Sequence, residues 1–164
     1  MFTRTVVSTA SLLLLTGFGA YGSRVGTQFF TGSWSCSGGT PAGRQMNSDV
    51  VFTPVLDGHF LEARHVDRPP GRYESVAMWP LDTAAGHFST VVYDNFGGAR
   101  HFAAEVSGAA AVVLVRDTLE QGARAESFTY RASSESTYWY AWYVRRAAGQ
   151  PLALGDSATC HRIH

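Results

Sequence analysis

From residue 29 onward, apolar and polar positions alternate in short runs rich in β-branched and aromatic residues, and Gly, Pro, Asn, Asp and Ser cut the runs at regular intervals. Runs of this kind read as strands of a sandwich or barrel. The pattern predicts strands over residues 30–37, 47–54, 59–66, 72–80, 86–94, 99–106, 110–117, 124–132, 136–145 and 156–163. Between them stand turn segments: LDGH at 56–59, RPPGR at 68–72, DTAAG at 82–86, DNFGG at 94–98, EQG at 120–122 and AAGQP at 147–151. Gly and Asn accept positive φ in such turns, and Pro fixes φ at the second position. Links this short make neighbours in sequence antiparallel neighbours in space. No segment sustains a capped helical period. VGTQFF at 25–30 has room for one turn, and GAAAVVLV at 108–115 is too short and too β-branched to prefer helix. The expected fold is all-β, an antiparallel up-and-down meander of about 8–10 strands, closed into a barrel because closure removes the two exposed edges.

Closure requires the first and last strands to pair. In an antiparallel pair, facing residues have a constant sum of numbers. Setting Cys36 opposite Cys160, the only two cysteines, places Trp34 opposite Arg162 and puts both pairs on one face. The register therefore predicts a Cys36–Cys160 disulfide and, two residues away, the Arg162 guanidinium on the Trp34 indole, a contact that stabilises by about 0.5–2 kcal/mol. The neighbouring pair Cys160-His161 also raises a thiol nucleophile or a metal site, but the three or four ligands at motif spacing that a metal requires are missing. The structural reading is preferred, and no metal or other cofactor is expected.

The segment before these strands reads differently. MFTRTVVSTASLLLLTGFGAYGS has one early positive charge at Arg4, an apolar stretch around residues 12–15 and small residues after it. It is expected to be a cleavable signal peptide over 1–22, leaving a single domain over 23–164 that is secreted or periplasmic. A membrane anchor would need about 20 uninterrupted apolar residues, and Ser8, Thr9, Ser11, Thr16 and Gly17 interrupt this core. No stable membrane insertion is expected after cleavage. Two cysteines in an exported chain fit one disulfide. Acids and bases balance at 13 each, and every base is arginine. A neutral surface without a basic patch argues against nucleic acid, and the lack of lysine removes Schiff-base and P-loop chemistry.

Gly32-Ser33-Trp34 on the first strand with Arg162 on the last resembles the closed-end signature of the calycin superfamily, the lipocalins and their relatives. The strand count and the segment LDGHFLEARH at 56–65 are most similar to bacterial lipocalin-like proteins of uncharacterised function, in which a Leu-x-Gly turn leads into the third strand. Unlike classical lipocalins, this chain has no evident C-terminal helix. The resemblance implies a cup-shaped barrel that holds a small, usually apolar molecule.

The walls of such a cup are the candidate site. In STYWYAWYVRR at 136–146, alternation places Tyr138, Tyr140, Trp142 and Val144 on one face and Trp139, Ala141 and Tyr143 on the other. One face looks into the barrel; the other is bulky enough to suggest a homodimer surface. Phe60, Arg64, Tyr73, Phe88, Phe128, Tyr138, Tyr140 and Trp142 are the expected ligand-binding residues. Phe60, Glu62 and Arg64 share a face opposite to His59, Leu61, Ala63 and His65; outward fits Glu62, and Arg64 stays open. A related barrel class binds haem through a late-strand histidine, but His161 lies opposite Cys160 and Arg162 and would face away from the pocket. No nucleophile elbow or phosphate loop is present, and no catalytic residue is assigned. The leading expectation is a carrier of a small hydrophobic or amphipathic molecule. The alternatives are a cyclase or isomerase using the same pocket, and an envelope interaction protein with a filled barrel.

Overall fold

The computed structural model describes residues 26–107, 111–116, 125–145, 147 and 149–164. The expected leader over 1–22 and the EQG turn lie outside the described residues. A 3-10 turn at Gly26–Phe30 precedes ten strands among the described residues: β1 Gly32–Gly39, β2 Gln45–Val55, β3 Phe60–Asp67, β4 Glu74–Pro80, β5 His87–Asp94, β6 Ala99–Ser107, β7 Ala111–Arg116, β8 Ala125–Ser134, β9 Thr137–Arg145 and β10 Ala153–Ile163. They form a closed antiparallel barrel in chain order, with β1 returning to β10. The alternation in the sequence is therefore that of an up-and-down meander with no free edge.

The closing register pairs Cys36 with Cys160 and Trp34 with Arg162, and the two cysteines are joined by a disulfide. The expected first strand began two residues early. Phe29 and Phe30 instead turn inward from the 3-10 segment and plug the barrel end. Phe30 is fully buried, with ring contacts to Phe29, Phe52, Trp79, Tyr130 and Tyr138 at 5.1–6.1 Å. The Thr27 hydroxyl ties the plug down by donating to the Pro80 carbonyl at 2.7 Å, and the Trp34 indole N–H donates to the Phe30 carbonyl at 2.6 Å.

Arg162 holds the plug from β10. Its guanidinium lies 4.1 Å from the Trp34 ring centre and donates to the Phe29 carbonyl at 2.8 Å and to the Thr31 carbonyl. Gly32 permits this twice over. Its φ is +117°, and a Cβ there would stand 2.9 Å from the guanidinium. The glycine of the Gly-x-Trp run thus leaves room for the arginine that caps the plug.

Strands β4 and β5 pair only from Ser75↔Asp94 to Ala77↔Val92. Where they diverge, the Thr90 hydroxyl donates to the Met78 carbonyl at 2.9 Å, giving that backbone acceptor a partner.

A candidate ligand cavity at the open end

Above the plug the barrel is hollow. A cavity of about 480 Å³ runs from a floor at Phe52, Trp79 and Tyr138 up to a mouth at Arg44 and Phe96. Ligand cavities typically span about 300–1,000 Å³. Its walls are aromatic: Phe128, Tyr130, Tyr140 and Trp142 come from β8 and β9, with Tyr73 approaching from the link before β4. These rings brace one another, Phe128 stacking on Trp142 and Tyr130 on Tyr140 at 6.4 and 6.1 Å. Preorganised rings of this kind offer apolar area at little entropic cost.

Of the residues expected from the sequence to bind a ligand, Tyr73, Phe128, Tyr138, Tyr140 and Trp142 line this cavity. Phe60 and Arg64 do not. The β2–β3 register sets Val50 against His65 and Phe52 against Ala63; Val50 and Phe52 are buried and Leu61 is fully buried. Alternation then sends Phe60 and Arg64 outward, where Phe60 is exposed and Arg64 pairs with Glu74 at 3.7 Å. Phe88 points inward but packs beside Trp79 at 6.2 Å, outside the cavity lining. His161 is exposed on the outer face, with its ring 3.3 Å from the Thr137 hydroxyl.

The upper wall is charged, which the sequence reading did not anticipate. On one side Arg100 bridges Asp94 at 3.3 Å and Glu126 at 3.1 Å, and donates to the Tyr73 hydroxyl at 2.6 Å. Arg116 reaches Glu126 at 3.7 Å. On the other side His65 contacts Asp67 at 3.0 Å, with the His65 ring between those of Tyr73 and Tyr140 at 5.6 and 6.1 Å. Burial raises the Tyr73, Tyr130 and Tyr140 hydroxyls above the ordinary phenol range, so all three remain neutral donors.

Asp156 completes this second side. It shares parity with Cys160 on β10, hence faces inward, and stands opposite Trp142 just past a bulge at Gly155. The glycine makes space for the Trp142 ring, which a Cβ would meet at 2.3 Å. Burial pushes the Asp156 carboxyl up to about 6; His65 and Arg44 favour its charge and Asp67 opposes it. Parity with Cys160 was the available signal for this residue, but an aspartate within GDSATC resembles a turn residue when read locally.

The raised value makes a stability prediction. The folded state holds the Asp156 proton more tightly than the unfolded chain does, so folding loses stability as pH rises from about 4 to about 6 and stays lower above that. Asp156→Asn removes the charge and is expected to stabilise the protein by about 1–2 kcal/mol at pH 7.5, a value reduced from the full shift because water reaches part of the carboxylate. The gain should vanish near pH 4. Urea unfolding of both proteins across pH 4–8 checks this, and a pH-independent difference would contradict it.

No protein-family model matches the chain, and no curated protein matches it in sequence.

Proposed function

We propose that this chain is an exported, lipocalin-like barrel of the calycin type that binds a small hydrophobic or amphipathic molecule in its lumen. The observation that carries the reading is the cavity of about 480 Å³ with aromatic walls. A barrel that served only as a filled scaffold would bring side chains together there, as the Phe30 plug does at the other end. The resemblance to calycins rests on Gly32, Trp34 and Arg162, and the contact among these residues at the plugged end supports it. The disulfide fits an oxidising compartment, in line with the leader read at the N-terminus.

Native mass spectrometry of the protein purified from its own host tests this reading. The expected spectrum shows the chain with one small molecule bound, released on collisional activation. A bare chain that also fails to take up the neutral probe N-phenyl-1-naphthylamine would overturn it. The outer rings of β9, Trp139 and Tyr143, supply the surface for the proposed homodimer, and the same spectra report whether the bound form is monomeric or dimeric.

A further inference from the structure

The charges around the lumen are unequal. Four carboxylates, Asp67, Asp94, Glu126 and Asp156, face the cavity with two arginines, Arg44 and Arg100. Three of the four carboxylates have close partners: Asp94 and Glu126 share Arg100, and Asp67 has His65. The Asp156 carboxylate makes no hydrogen bond or ion pair among the described residues. His65 most, and Arg44 from the rim, favour its charge without forming an ion pair with it, and Asp67 opposes it. The surroundings of Asp156 are rings, with Trp142 opposite it on β9 and Tyr140 next along the same inner face. A carboxylate half-withdrawn from water and set among electron-rich ring faces is poorly matched to an anion and well matched to an ammonium group, which gains from both the charge and the rings.

A second observation concerns the rest of the ligand. Trp79, on the cavity floor and 1% exposed, has an indole N–H with no acceptor, and the Trp142 N–H is in the same condition. With the Arg100 Nε they make three buried donors without acceptors in the cavity lining among the described residues, a cost that an oxygen of a bound molecule would relieve.

We infer that the lumen selects a cationic amphiphile: an apolar or aromatic body carrying an acceptor oxygen such as an ether or carbonyl, and a protonated amine seated at Asp156 against Tyr140 and Trp142. The inference rests on the lumen being a ligand site at all, and the test separates the two. Its probes share one body and differ only in the head group: 2-(2-naphthyloxy)ethylamine, 2-(2-naphthyloxy)ethanol and 2-naphthoxyacetic acid, each titrated into the full mature chain by calorimetry at pH 7.5. The amine is expected to bind about ten-fold tighter than the alcohol, with the acid weakest. Asp156→Asn should remove the preference, so that amine and alcohol bind the variant with equal affinity. If the alcohol matches the amine, or the acid binds tightest, cation selection is wrong while lumen binding stands. If none of the three binds, both readings fall.

A measurement on the unaltered protein guards against a variant that folds badly. The groups facing Asp156 are Arg44 from the segment before β2, His65 and Asp67 on β3, Tyr130 on β8, and Tyr140 and Trp142 on β9. Lowering the pH from 7.5 to 5 protonates Asp156, so the preference for amine over alcohol should shrink several-fold. A preference unchanged over that range would overturn the assignment to Asp156.

Discussion

Replacing both cysteines by alanine is expected to lower the free energy of unfolding by about 3–5 kcal/mol. The disulfide joins residues 124 apart in sequence, so in the chain-entropy model it closes a loop worth about 5 kcal/mol of denatured-state freedom. The effect falls below that figure because the denatured chain is not fully random. Both sulfurs are buried in the core, and alanine leaves small cavities rather than buried hydroxyls, so the loss belongs to the cross-link. Urea denaturation at pH 7.5 supplies the check. The variant's midpoint should fall and its m-value rise, since the open denatured chain exposes more surface. Wild-type protein under reducing conditions should follow the variant. Coincident curves for oxidised protein and variant would show that the bond contributes no stability.

The same seam shows how much of the molecule can be read from its sequence. Alternation with turn residues located every strand to within a few positions, because a β-meander is specified by local chemistry. The pairing of the ends was legible because two unique cysteines and a constant sum leave one register. The walls were legible on β9, where the ring-rich alternation runs from Tyr138 to Trp142. They were misread on β3, where both faces carry large or charged side chains and only the partner strand fixes which looks inward. Phe60 has the larger side chain, yet Leu61 is the buried residue, since register with β2 outweighs side-chain size. The charged mouth was illegible for a different reason. Asp94, Arg100 and Glu126 sit on three strands, and Arg100 and Glu126 are 26 residues apart. Their bridge exists only because closure of the barrel curves β5, β6 and β8 around one opening. Asp156 could have been found, by counting back four residues from Cys160.

Arg162→Ala is expected to cost about 2–4 kcal/mol, whereas Arg131→Ala, on the exposed face of β8, should change stability by less than about 0.5 kcal/mol. The difference follows from what each guanidinium touches. Arg162 donates to the carbonyls of Phe29 and Thr31 on either side of the plug and stacks on Trp34. Alanine would leave those two acceptors unpaired and uncover an indole that is otherwise fully buried. Lysine should recover part of the loss, because an ammonium keeps the charge but lacks the planar fork that spans two carbonyls. Trp34→Ala is expected to lose about 3–5 kcal/mol by emptying a large buried volume. The double variant should fall short of the sum of the single losses, since each substitution removes a contact that the other shares. The floor of the cavity lies directly on this plug, through Phe30 against Phe52, Trp79 and Tyr138. A loosened plug should therefore also weaken uptake of N-phenyl-1-naphthylamine, although Arg162 is absent from the cavity lining. Thermal melts that rank Arg162→Ala with Arg131→Ala would remove the guanidinium from its role as the clamp. Full stability loss with unchanged probe affinity would show instead that the plug and the ligand cavity are independent parts of the barrel.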